Sequence, residues 1–314
     1  MEEIIQAIAP SQVERALHAV QYVRKTNNAG NEIYAFKAAE SPLLMREVGR
    51  LREEAFRQAG GGTGKALDVD TYDTGENPCT QLVVWDPEHR MILSGYRYLL
   101  CCAPTVPARD MATAELFDFS EQFREEFLPY TIELGRSFVH PAYQSTKLGH
   151  QGIYALDNMW DGLGALVNAY PQMKYFFGKV TTYPSFNAEA RNALLYYLNH
   201  YFPDPDRLLT AKEPLRYSEP MQEGHPLFSG QDLKGDFEVM VKYMTKRNTR
   251  MPPLVKSYMG LSPTMRMFGT GINHSFGEVH ESGIMVTIKD IYQSKITRHV
   301  KSQAAQQGIK APKH

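Results

Sequence analysis

The chain of 314 residues is long enough for one large domain or two ordinary ones, and either size buries a substantial core. Lys and Arg number 34 against 35 Asp and Glu, a formal net charge of −1 that argues against a broad nucleic-acid surface. The three cysteines, Cys79, Cys101 and Cys102, form no even, spaced disulfide framework and point to a reduced, cytosolic protein.

Residues 1–30 read as a helical preface, acidic at the start and amphipathic, with Ser11 and Glu14 spaced as a capping box and no basic region of an export signal. No apolar run in the chain approaches the roughly 20 residues of a membrane span. EIYAF (Glu32 to Phe36) has strand composition. Ser41 then caps a helix with Pro42 in its first turn, and Leu44, Val48, Leu51 and Phe56 recur near helical spacing. That helix dissolves into AGGGTGK. A phosphate-binding loop would read GxxxxGK[ST] after a buried strand. Gly64 and Lys65 fit, but Ala59 stands for the first glycine, Ala66 for the hydroxyl, and a helix for the strand, so no nucleotide site is expected.

Three acids follow as DxDxxD: Asp68, Asp70 and Asp73. On a strand Asp68 and Asp70 share a face, and three carboxylates repel one another unless a cation, an arginine or an ammonium substrate lies among them. A solvated turn is the plainer alternative. CTQLVVWDPEHRMILSGYRYLLC reads as a hairpin turning at Asp86 and Pro87. YTIELGRSFVHP is a strand stopped by Pro141; a glycine-bearing loop and the helix IYALDNMWDGLGALVNAY follow, an order suited to an anion at a helix N-terminus. MKYFFGKVTTYP is a further strand and NAEARNALLYYLNHYF a helix. Pro203 to Asp236 is an irregular excursion, DFEVMVKYMTKR resumes a helix, MPPLVKSYMGLSPTMRMFG breaks it, and GIMVTIKDI is a closing strand. The tail from Tyr292 to His314, with five Lys or Arg and no acid, reads as solvated and mobile. The order of elements predicts a mixed α/β sheet.

Arg52, Arg97 and Arg136 each lie in or beside an apolar element, where an unpaired charge is costly. A buried cluster of arginines and aspartates satisfies both sets; so do ion pairs that merely tie a helix to a sheet. Glu133 is a candidate general base if burial lifts its pKa towards neutrality. Strict alternation puts it on the opposite strand face from Arg136. Ser137 and Ser185 lack a nucleophile elbow, the ten histidines lack metal spacing, and Trp85 and Trp160 are expected to pack.

As a set, LREEAF, DVDTYD, GYRYLL and ELGRSFV resemble, in that order, LRxxVF, [ED]xDxxD, GtxRLL and E[LI]xRxxV of the acyl-homoserine-lactone synthases and ornithine-lipid N-acyltransferases, both of the GNAT superfamily. GGGTGK, WDP, LPYTIELGRSFV, YQST, ALDNMWDGLGAL, FGKVTTYP and PPLVKSYMGLSPTMRMFGTGIN look like the hemolysin-like branch that makes glycine lipids in Bacteroidetes. The resemblance covers roughly residues 30–290. It implies a single α/β (α+β) domain over 31–290, after the preface and before the basic tail of 291–314, with a twisted mixed sheet splayed near its centre. In such a domain Asp68, Asp70, Asp73, Arg52 and Arg97 would shape the amino-acid side of a cleft, with Arg136 and Glu133 at the chemistry. Phe138 and Val139 would run along the donor's pantetheine arm, Gly149 and Gly152 would bind its phosphate, and Tyr196 would protonate the leaving thiol.

The resemblance implies no tightly bound cofactor and a co-substrate that is acyl-ACP or acyl-CoA. In place of the common loop [QR]xxGx[GA] this chain has QSTKLGHQG, which suits an acyl carrier protein, whose arm has no adenine nucleotide to hold. His274 stands where the family pattern has an acid. The implied activity is transfer of a long, 3-hydroxylated acyl chain from acyl carrier protein to the amino group of a small amino acid, glycine first, in amino-acid-lipid biosynthesis. The implied place is the cytoplasm, with peripheral contact at the inner membrane and no nucleic acid as partner. The rival readings are an acetyl-CoA-dependent acetyltransferase and a membrane-active protein.

Overall fold

The computed structural model describes residues 1–102, 107–144 and 150–302. Helix α1 (Pro10–Leu17) leads to strands β1 (Gln21–Lys25) and β2 (Glu32–Lys37), helix α2 (Pro42–Ala59) and the one-turn α3 (Thr71–Thr74). Then come the hairpin of β3 (Thr80–Asp86) and β4 (Met91–Leu100), β5 (Phe117–Phe119), β6 (Thr131–Val139), α4 (Pro141–Gln144) and α5 (His150–Ala169). Next are β7 (Tyr175–Thr182), α6 (Ala188–Tyr201), β8 (Leu209–Ala211) and the small hairpin β9 (Met221–Gln222) and β10 (His225–Pro226). The described chain closes with α7 (Leu233–Thr245), α8 (Pro253–Met259), β11 (Arg266–Asn273), β12 (Val279–Thr287) and a C-terminal segment to residue 302.

The main sheet has eight strands in the order β1-β2-β3-β4-β6-β7-β12-β11, antiparallel throughout except between β6 and β7. That parallel ladder runs only from Thr131↔Tyr175 to Leu134↔Gly178. Both strands continue beyond it, β6 to Val139 and β7 to Thr182, each paired, among the described residues, only on its outer side. The sheet is therefore split at its centre.

Period-two alternation assigns the two faces. Leu82 and Val84 of β3 and Ile132 and Leu134 of β6 pack under Leu163 and Leu166 of α5 and Leu194 of α6. Val83 and Trp85 face the other way, against Leu44, Val48 and Leu51 of α2. Each such side chain, fully buried, contributes about 1.5–3 kcal/mol. On that second face the far half of the sheet is covered by an aromatic cluster including Phe117, Phe119, Phe123 and Phe177. Ser41 caps α2 by accepting from Leu44 N at 3.4 Å, Pro42 opens it, and Gly60 ends it in the left-handed region at φ +97°.

Three expectations are corrected. Ser11 forms no side-chain cap on α1, whose Glu14 instead pairs with Arg90 at 2.5 Å. The preface is not helical throughout, because residues 21–25 form the edge strand β1. The basic tail is docked at its start: His299 is buried, and its Nδ1 lies 2.7 Å from Asp161 Oδ1 of α5. A Cβ at Gly164 would meet the His299 carbonyl oxygen at 2.1 Å, so this contact requires glycine.

Candidate active site

The glycine run that ends α2 wraps a carboxylate of the protein itself. Glu53, fully buried, accepts from Thr63 N at 3.0 Å, Thr63 Oγ1 at 2.7 Å, Gly64 N at 2.8 Å and Arg57 Nε at 2.7 Å. Burial pushes its carboxyl up, but these donors outweigh burial and hold it below the usual range. The amides that a P-loop would aim at phosphate are occupied.

The three acids do not sit on a strand. Asp70 caps α3, accepting from Tyr72 N at 3.0 Å, while Asp73 Oδ2 accepts from Asp70 N at 3.2 Å. This reciprocal cap holds the carboxylates of Asp70 and Asp73 towards the arginines. Arg52 Nη1 lies 3.1 Å from Asp73 Oδ2, and Arg52 Nη2 donates to Gln81 Oε1. Arg97 Nη1 lies 2.6 Å from Asp70 Oδ1 and 3.1 Å from Asp73 Oδ2. Arg136 Nε lies 2.8 Å from Asp68 Oδ2, an ion pair not aligned as a hydrogen bond, and Arg136 Nη2 lies 3.3 Å from Asp70 Oδ2. Burial pushes the Asp73 carboxyl up, but Arg52 and Arg97 prevail and hold it far below the usual range.

Glu133 and Arg136 are on the same side of the sheet, contrary to strict alternation. Between Gly95↔Phe138 and Arg97↔Gly135, two β6 residues stand opposite Tyr96 of β4, a β-bulge that resets the alternation. Arg136 is the bulged residue, in the left-handed region at φ +50°, which costs a non-glycine residue about 1 kcal/mol or more. Its guanidinium stacks 4.4 Å over the Phe276 ring. Glu133 is buried, with Oε1 accepting from Thr113 N at 2.8 Å and Thr113 Oγ1 at 2.7 Å, and Oε2 from Ala112 N at 3.2 Å. Burial raises its pKa against the opposing pull of those bonds, Lys179 and Arg97.

A cleft of about 1070 Å³ passes through the split between β6 and β7. On the α2 side its walls include Phe56, Arg97, Thr113, Glu133 and Arg136; on the α5 and α8 side they include Trp160, Leu254, Val255 and Leu261. Phe138 and Val139 line it, and so does Trp160, which the sequence assigned to packing alone. Composition gave no sign of Lys179 and Glu281, which face each other in its wall at 3.0 Å; their only signal was a lysine and a glutamate in apolar strands. Asp73 and Arg52 stand behind the walls and support the residues that line them.

Not every predicted residue reaches this place. Tyr196 lies on α6 outside the cleft lining, and its hydroxyl donates to Glu219 Oε1 at 3.1 Å. The helical periodicity of α6 fixed its faces but not which of them would meet the cleft. Gly149 lies outside the described residues, and Gly152 falls in the first turn of α5. His274 is exposed and bridges Glu278 at 2.6 Å and Glu213 at 3.0 Å, which raise its pKa.

Residues 51–150 match the family model described as an acetyltransferase (GNAT) domain. A protein of Phocaeicola vulgatus named glycine N(alpha)-acyltransferase is 49% identical over 305 residues, 96% of this chain and 94% of that protein. One of the same name from Bacteroides thetaiotaomicron is 47% identical over 305 residues, 96% of this chain and 90% of its own. The crystal structure of the AHL synthase LasI aligns over 90% of this chain and 98% of its own, with a TM-score of 0.36 and 12% identity. Identity near one half across nearly the whole of two relatives makes this chain an acyltransferase of the GNAT-type N-acyltransferase family to which they belong.

Proposed function

We propose that this enzyme transfers a long, 3-hydroxylated acyl chain from acyl carrier protein to the amino group of glycine. The observation that carries the reading is the cleft of about 1070 Å³ running through the split sheet, with Arg97, Glu133 and Arg136 on its α2 side and Trp160, Leu254, Val255 and Leu261 among its walls on the α5 and α8 side. Beside the donor's pantetheine arm an acetyl group would occupy little of that volume, whereas a fatty chain would occupy much more of it. Glycine as acceptor is supported by the name of both relatives. The carrier protein is supported by QSTKLGHQG in place of the usual coenzyme A loop.

Glycine's carboxylate goes to Arg136, which lines the cleft and whose Nε makes an ion pair but no aligned hydrogen bond, and its ammonium faces Glu133. Glu133 takes one proton from the ammonium, the amine attacks the thioester carbonyl carbon, and the C–S bond breaks as the attacking nitrogen gives up a second proton, which ends on the departing sulfur, so that amide and thiol are formed. For the proton to the sulfur, Tyr143 and Tyr183 are phenols lining the cleft, in the role first expected of Tyr196. β6 presents its backbone to the donor arm beyond Leu134, where the ladder to β7 has ended. Among the described residues no helix is long and apolar enough to cross a membrane.

The test is a product mass spectrum. Purified protein with 3-hydroxyacyl-ACP and a panel of amino acids should give N-acylglycine. Thiol release without N-acyl product, or turnover of acetyl-CoA in preference to long-chain acyl-ACP, would end the reading.

A further inference from the structure

Among the described residues the three donors on the Glu133 carboxylate come from one turn, Ala112 and Thr113. The same turn is held from across the split. Lys179 Nζ donates to Ala112 O at 3.2 Å and lies 3.0 Å from Glu281 Oε2, which also accepts from Asn273 Nδ2 at 2.8 Å. Ala112 is thus tied to β6 through its amide and to β7 through its carbonyl. Lys179 is the first β7 residue past Gly178, where the ladder between β6 and β7 stops. Beyond that point backbone pairing no longer sets the spacing of the two strands, and the Lys179–Ala112–Glu133 chain spans the gap.

The bridge is built to be stiff. The Lys179 side chain is 11% exposed and that of Glu281 6%, so their attraction is little screened by solvent. Asn273 on β11 fixes Glu281, and Ala112 opens a 3₁₀ turn that runs to Glu115.

We infer that Lys179 is a positioning residue for the base: by bracing the Ala112–Thr113 turn across the split, it fixes the donors that hold the Glu133 carboxylate towards the substrate. The inference rests on the reading of Glu133 as base. Two cations face that carboxylate, Arg97 from β4 and Lys179 from β7, while Tyr72, Cys79 and Cys101 are titratable neighbours that burial keeps neutral. Removing Lys179 takes away one cation and frees the turn, and both changes favour the protonated carboxyl. The base must be ionised to act, so the acid limb of the rate profile moves to higher pH.

The experiment compares kcat/KM against pH for wild type, Lys179→Met, Lys179→Arg and Glu133→Gln, with thermal melts on each. For Lys179→Met the acid limb should move up by about one pH unit, roughly a tenfold loss on its acidic side, with recovery at high pH. Lys179→Arg, which can still reach Ala112 O and Glu281, should return the limb towards wild type. An unmoved limb in Lys179→Met overturns the inference, as does a pure rise in KM for glycine at every pH, which would make Lys179 a carboxylate ligand. If Lys179→Met does not fold, Thr113→Val, which removes the Oγ1 donor from the same turn, should move the limb in the same direction; a stationary limb there overturns it equally. Glu133→Gln separates the two claims. A wild-type acid limb in that variant removes the base reading itself, whereas loss of the limb there with an unmoved limb in Lys179→Met removes only the brace.

Discussion

Asp73 Oδ2 lies 3.1 Å from both Arg52 Nη1 and Arg97 Nη1, so one fully buried carboxylate joins a guanidinium from α2 to another from β4. Asp73→Asn would leave two buried cations short of an anion, a loss of about 3–5 kcal/mol. Chemical denaturation should show it, and a loss under 1 kcal/mol would contradict the pairing. The pH dependence has a definite sign. The folded carboxyl is held far below the unfolded value of about 3.9, so its stabilisation is complete above that pH and declines as pH falls below it.

Glu133→Gln keeps a hydrogen-bonding group against Thr113 and should melt close to wild type. With no base, acyl transfer at neutral pH should fall by roughly 10²–10⁴-fold and recover in part at high pH as glycine deprotonates in solution. Steady-state rates with acyl-ACP check this, and an active variant with an unchanged pH profile would remove Glu133 from the role.

Arg136→Lys keeps the charge near Asp68 but loses the planar fork. Under the proposed reading KM for glycine should rise by about tenfold or more, because a charge-assisted hydrogen bond contributes about 1.5–3 kcal/mol. A glycine titration at saturating donor reads it directly. Unchanged KM would assign the acceptor carboxylate to another cation.

Glu53→Gln removes the charge around which Thr63, Gly64 and Arg57 are arranged. The loop should loosen at a cost of about 2 kcal/mol, seen as a lower urea midpoint. Neither protein should be stabilised by Mg-ATP in a thermal shift, because the loop amides already have a partner.

The elements themselves were largely legible. Ser41 and Pro42 announced α2, Asp86 and Pro87 the turn from β3 to β4, and Ala59 and Ala66 ruled out a P-loop, because capping, turn chemistry and phosphate binding each depend on residues close together in sequence. β1 and β11 were missed for the same reason inverted. Gln21–Lys25 is an edge strand stabilised by its neighbour β2, and Arg266–Asn273 carries Gly269 at φ +80° within a register shift that breaks its alternation.

By itself the sequence determined that Arg52, Arg97 and Arg136, lying in or beside apolar elements, needed partners, and it offered the aspartates as one answer beside a solvated turn. Which partner each took is a tertiary matter: Arg97 reaches Asp70 across 27 positions, and Arg136 reaches Asp70 across 66. The bulge at Arg136 exists only against β4, the pair of Lys179 and Glu281 only because β7 lies beside β12, and the distance of Tyr196 from the cleft only through the packing of α6. Periodicity along one strand or helix can say which side chains share a face. It cannot say what the other strand, or the other side of a split sheet, brings to meet them.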